Sequence, residues 1–188
     1  DAYSHISGTV TLTSITDTVS NVTAVNTNAN ISIASAAVTV TDAASFANAD
    51  AINGFTNQKV TLQSVEDEYA NIQLIKDINT AEVDMEAAAI KVTDSVDKTK
   101  VDDLRTDTTG NITLTSITED RADLATIAGF TDVSLSTANI TVSDDVSKAQ
   151  ADTINAYNVS GTVTLTSITD SFTNVAAAQG TAGIAMTA

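Results

Sequence analysis

The chain of 188 residues has no cysteine, no proline and no tryptophan, and it carries one histidine, two arginines and seven glycines. Without cysteine there is no disulfide framework, thiolate zinc site, iron–sulfur cluster or cysteine nucleophile. Basic residues are scarce as well: 8 Lys and Arg stand against 24 Asp and Glu, a net charge of −16, so phosphate backbones and anionic membrane surfaces are repelled. Nucleic acid is therefore not an expected partner. No apolar run approaches the roughly 20 residues that span a bilayer, and membrane insertion is not expected. The chain begins at Asp1 with neither Met nor a signal peptide, so a natural start is not expected there. What is present is 43% apolar residues at a mean hydropathy of +0.09, enough to build a core and against intrinsic disorder.

Internal repetition dominates. VTLTSITD occurs at 10–17 and 163–170, with VTLQSVED at 60–67 and ITLTSITE at 112–119; between them lie AAVTVTD at 36–42, AAIKVTD at 88–94 and ANITVSD at 138–144. Aligned on their closing acids, Asp17, Asp42, Asp67, Asp94, Glu119, Asp144 and Asp170, the copies are spaced by 25, 25, 27, 25, 25 and 26 residues. The units alternate in type, so the higher-order repeat is a pair.

Upstream of each acid, aliphatic residues alternate with small polar ones (Val10, Leu12, then Ile15; Ile31, Ile33, then Val38, Val40), which reads as strand with a kink where the phase slips at Ser14 or Ser35–Ala36. Downstream the spacing becomes three: Val19, Val22, Val25; Phe46, Ala49, Ile52; Tyr69, Ile72, Ile75; Phe172, Val175, Ala178. That is a short helix with one apolar stripe, and it places the aromatics in the core. The acid falls at the junction, where an N-cap is expected. Gly54, Gly110, Gly129 and Gly161 fall after the helices, where a left-handed turn is expected. One unit cannot bury its apolar face alone, so the expected fold is an α/β tandem-repeat solenoid of about seven 25-residue strand–short helix units with a parallel sheet. Residues 1–188 read as a single repeat-array segment, entered and left in mid-repeat: the opening matches 155–170, and IAMTA at 184–188 matches VSLST at 133–137. Open ends of this kind imply continuation of a longer chain or self-association into a lattice or fibre.

The stretch ITVSDDVSKAQADTINAYNVSGTVTLTSITDSFTNV at 140–175 resembles a repeat of very large secreted bacterial proteins, in which an ITVSDTAANV-type segment alternates with a KLTSITLTD-type segment. Those proteins resemble S-layer components and giant surface adhesins. Type I secretion often exports them, and they carry Ca²⁺-binding glycine-rich repeats elsewhere. Through its paired units the resemblance covers nearly the whole chain. It implies an extracellular, cell-surface structural role and brings no catalytic residues. The Ca²⁺-binding glycine-rich nonapeptide is absent here.

Chemistry-bearing residues are few. His5 with Asp1 and Ser4 or Ser7 makes only a local triad fragment, and Arg105 and Arg121 are the only arginines from which a lyase base could be drawn. No enzyme activity and no required cofactor are expected. Adjacent acids at unit junctions, Glu66 and Asp67, Glu119 and Asp120, Asp144 and Asp145, are the candidate metal ligands, with Ca²⁺ the candidate ion. The competing account, which the sequence favours, caps a helix with one acid of each pair and solvates the other. A non-enzymatic structural segment is the expected function, with a glycan-binding module as alternative and ice binding behind it. The triplets Thr11-Leu12-Thr13, Thr113-Leu114-Thr115 and Thr164-Leu165-Thr166 suggest an ice-facing ladder, but Ser32, Asp84 and Ser134 interrupt it at alternate steps.

Overall fold

The computed structural model describes residues 8–78 and 82–187. Parallel strands alternate with short helices, coil after coil, in the α/β repeat architecture that the spacing predicts. Contacts divide the chain into two compact units, Asp1–Ile90 and Lys91–Ala188. The first holds β1 (Val10–Thr11), β2 (Ser14–Asp17), α1 (Val19–Asn26), β3 (Ile31–Ser32), β4 (Ala37–Ala44), α2 (Phe46–Asn53), β5 (Val60–Asp67), α3 (Tyr69–Asp77) and β6 (Val83–Asp84). The chain passes into the second through β7 (Ala89–Val96). There follow α4 (Lys98–Asp107), β8 (Ile112–Glu119), α5 (Arg121–Ala128), β9 (Val133–Ser134), β10 (Asn139–Val146), α6 (Lys148–Asn155), β11 (Val163–Ile168), α7 (Phe172–Gln179) and β12 (Ile184–Met186).

The helices have eight to ten residues, fewer than the roughly 12–15 an isolated helix needs, so packing and caps hold them. Helices α2 to α6 each turn a buried i, i+3 pair inward, among them Ala49 and Ile52 on α2, Ile72 and Ile75 on α3, Val101 and Leu104 on α4, and Ala151 and Ile154 on α6. By contrast, α1 buries Val22 alone and α7 buries Ala178 alone. Beneath them lie the alternating strand residues, Val38 and Val40 or Ile112 and Leu114, with Val65 and Ile117 buried after the expected phase slip. The other kink, at Ser35–Ala36, is a tight turn between β3 and β4, closed by the Ala36 N–H donating to the Ile33 carbonyl at 2.9 Å. Leu135 and Ala138 close the same turn between β9 and β10.

Coil-to-coil register follows from that difference between unit types. Val38 lies beside Ile15 on one side and Val60 on the other, and Ile140 lies beside Ile117 and Val163. Ile15 and Ile117 are sixth in their eight-residue strings whereas Val60 and Val163 are first, so within each unit the strands slide by five positions per pair of coils. That is about 17 Å of extended chain.

Two expectations fail. None of Gly54, Gly110, Gly129 and Gly161 has a positive φ; among the described residues only Gly183 does, at +85°. The C-caps are right-handed, as at Gly54 (φ −67°), Gly129 (−81°), Thr27 and Ala156, or extended, as at Ile78 and Thr108, so no left-handed residue is needed. Nor are the aromatics core residues: Phe46, Phe55, Tyr69, Phe130 and Tyr157 are half-buried and Phe172 is exposed. Phe46, Tyr69 and Phe172 are the first residues of their helices, so their rings stand at the rim of a coil whose interior is aliphatic.

Gly161 is required for close approach instead. A Cβ there would stand 2.0 Å from the Ala138 carbonyl oxygen of the preceding coil, whereas one on Gly180 would meet nothing nearer than 3.6 Å. Gly161→Ala is expected to cost about 1–3 kcal/mol in urea denaturation, because backbone must move. Gly180→Ala, already right-handed, is expected to be neutral or to gain about 0.4–1 kcal/mol.

Candidate functional site

Carboxylates recur at the strand-to-helix corners, but the closing acids are not the N-caps that their position suggests. The caps are Thr18, Ser45, Glu68, Asp97, Asp120, Ser147 and Ser171. In the ITVSD-type coils the strand runs two residues past the acid, and in the LTSIT-type coils the acid directly precedes the cap. The acids act between coils. Asp42 accepts from the Val19 N–H at 2.8 Å, Asp67 from Phe46 at 2.9 Å, Glu119 from Lys98 at 3.0 Å, Asp144 from Arg121 at 2.9 Å and Asp170 from Lys148 at 3.0 Å. In every case the donor is the first residue of the helix in the preceding coil, one of the N–H groups that a helix leaves unpaired at its positive end.

Three of the acids also fasten their own helix. Asp67 Oδ1 accepts from the Glu68 N–H and from Asn71 Nδ2, both at 2.8 Å. Asp17 with Thr18 and Asn21, and Asp170 with Ser171 and Asn174, repeat the arrangement. Asn21 first and then the Thr18 N–H hold the Asp17 carboxyl below the usual range; the Asn174 amide and the Lys148 and Ser171 N–H groups do so for Asp170. Burial pushes Asp67 up, but the Asn71 amide and the Phe46 and Glu68 N–H groups outweigh it and hold it low. Sequence reasoning missed these asparagines, although the signal was there as Asp-x-x-x-Asn in DTVSN, DEYAN and DSFTN. The fourth copy, EDRAD, departs from it: Glu119 reaches the Asp120 N–H at 3.2 Å, and Asp123 stands where the amide would be.

The candidate metal ligands are distributed over these roles. Asp67, Glu119 and Asp144 hold N–H groups of the preceding helix; Asp120 caps α5 and accepts from the Asp123 N–H at 2.9 Å. Asp145 accepts from Ser167 Oγ in the next coil at 2.7 Å, and the Thr169 and Ser167 hydroxyls hold it low. Glu66 is exposed on β5. Among the described residues no three His, Asp or Glu side chains converge as a metal site. His5, Asp1, Ser4 and Ser7 lie outside the described residues.

Arg105 is committed structurally: its Nε donates to Asp132 at 2.8 Å and its guanidinium lies 3.7 Å from the centre of the Phe130 ring. A recess of about 380 Å³ is lined by Ser134, Leu135, Ser136 and Tyr157, and a second, of about 200 Å³ with Arg121, Gln150 and Thr153, shares Tyr157. The five-residue slide also rearranges the threonines. Thr16, Thr39 and Thr61 form one row, closed by Asp84; Thr118, Thr141 and Thr164 form another, closed by Ala185. Among the described residues no helix is long and apolar enough to cross a membrane. No family model, no curated protein and no solved structure matches the chain.

Proposed function

We propose that this chain is a non-enzymatic structural repeat segment of a secreted bacterial surface or extracellular-matrix protein, of the S-layer, filament or adhesin-stalk kind. The observation that carries it is the carboxylate ladder: the acids that recur most regularly are bonded to backbone N–H groups of the neighbouring coil. Such an array extends by adding coils, each stabilised by its nearest neighbours. The extracellular assignment rests on the resemblance of residues 140–175. Immunogold electron microscopy of cells making the protein tests it. Label on the cell surface or on extracellular fibres is the expected result, and label confined to the cell interior overturns the proposal.

A glycan-binding module is the alternative, and Tyr157 favours it, since this residue lines both recesses, with Ser134 and Ser136 lining the larger one. Retention on a polysaccharide column, lost in Tyr157→Ala with the fold intact, would decide for it. Calcium enters through stability alone. At a net charge of −16 any salt raises the melting temperature by screening. Each ladder carboxylate already accepts from a backbone N–H of the neighbouring coil, so CaCl₂ and NaCl at equal ionic strength are expected to give equal melting temperatures. A clear excess with CaCl₂ would place an ion at the corner.

A further inference from the structure

Helices α4, α5 and α6 share one frame, in which the fourth and seventh residues are buried: Val101 and Leu104, Leu124 and Ile127, Ala151 and Ile154. After α5 and α6 the chain turns in the same way at position ten. There the Phe130 N–H donates to the Ile127 carbonyl and the Tyr157 N–H to the Ile154 carbonyl, both at 3.0 Å. Phe130 and Tyr157 are therefore counterparts, each half-buried just past its helix. They differ in what the preceding coil sets against them. Position eight of α4 is Arg105, whose guanidinium lies 3.7 Å from the centre of the Phe130 ring. Position eight of α5 is Ala128.

The place that a guanidinium fills in one coil is thus open in the next. Ala128 and Tyr157 both line the recess of about 380 Å³, together with Ser134 and Ser136, and that volume falls within the roughly 300–1,000 Å³ of small-ligand sites. None of its lining residues is charged, yet its surroundings favour a cation. The C-terminal ends of α5 and α6 adjoin it at Ala128 and Ala156, and neither helix carries a basic residue in its last turn to offset the negative end of the dipole. The net charge of −16 adds to that field. Arg121 lines the smaller recess and stands at the other end of α5 from Ala128, about 10 Å along the helix. Ser134 Oγ and Ser136 Oγ share one hydrogen bond at 2.9 Å, which leaves lone pairs and one hydroxyl proton for a ligand.

We propose that this recess binds an amino sugar, its protonated amine set against Tyr157 as the Arg105 guanidinium is set against Phe130. Attraction between the cation and the aromatic ring supplies the selectivity for charge. The Ser134 and Ser136 hydroxyls meet the sugar hydroxyls, the few placed polar groups that orient a ligand in such a site. A uronic acid or a sulfated sugar is the poorer ligand, because the negative field repels it. The inference rests on the glycan-binding alternative and narrows it to one class of sugar.

The test titrates the full chain with glucosamine and with N-acetylglucosamine at about pH 6 and about 0.15 M NaCl, where the free amine is protonated and surface charge is screened, and follows amide NMR shifts. Glucosamine is expected to shift residues 128–136 and 156–157 with a dissociation constant of about 1 mM, the range of one small ligand held by few contacts. N-acetylglucosamine, which lacks the charge, is expected to bind about fivefold more weakly. Ala128→Arg places a guanidinium where α4 has one and is expected to abolish the binding, whereas Tyr157→Phe keeps an aromatic ring and is expected to retain it. Equal binding of the two sugars overturns the amine and leaves the glycan reading standing; no binding of either overturns both. Shifts spread over the acidic surface and unchanged in Ala128→Arg also overturn the proposal, by making glucosamine an ordinary counter-ion.

Discussion

Ile117→Ala is expected to lower stability by about 2–5 kcal/mol, the cost of removing buried aliphatic atoms and leaving a cavity between coils. Ile117 has no exposed surface, with Ile140 beside it in β10. Its counterpart Ile168 occupies the same position in the repeat but is only half-buried, so Ile168→Ala is expected to cost only about 1–2 kcal/mol. Urea denaturation at unchanged slope measures both. Equal losses would mean that the position in the repeat, and not cover by the next strand, sets the energy.

Acid should unfold the protein more abruptly than its low isoelectric point implies. Asp17, Asp67, Asp84, Asp132, Asp145 and Asp170 all titrate below their ordinary 3.8 when folded. A depressed carboxyl stabilises the fold fully above the unfolded value and loses that contribution as pH falls through the folded one. An opposing effect operates on the way down, because approach to the isoelectric point near 4.1 relieves self-repulsion. Salt separates the two, since a Debye length of about 8 Å at 0.15 M screens repulsion but not a short hydrogen bond. At that salt the melting temperature is therefore expected to hold between about pH 5 and 8 and to fall steeply below about pH 4. Asp67→Asn loses the charge that holds the Phe46 and Glu68 N–H groups, so its curve should start lower and fall less over the same range. Parallel curves for the two proteins would remove Asp67 from the acid response.

The candidate site was only partly legible in advance. The seven acids were visible because their spacing is regular, yet their role was misplaced. An acid next to a helix start suggests a cap on its own helix, and nothing local says that Asp42 reaches Val19, 23 residues back. The amides at Asn21, Asn71 and Asn174 were equally visible and went unread. Their partner is the preceding acid, and the pattern breaks in the fourth copy at Asp123.

The sequence by itself determined the period, the order of strand and helix in each unit, and the aliphatic residues that turn inward. These follow from two local periodicities, alternation by two along Val38 and Val40 and steps of three along Ile72 and Ile75, which any chain obeys before it meets its neighbours. Only the tertiary structure decided how the coils align. The turn at Ile33–Ala36 separates β3 from β4, and the slide between unit types puts Thr16, Thr39 and Thr61 in one row and lets Asp42 and Asp67 reach the preceding helix. Hydrogen bonds between coils fix that alignment, and their partners lie more than 20 residues apart, beyond the reach of any local pattern.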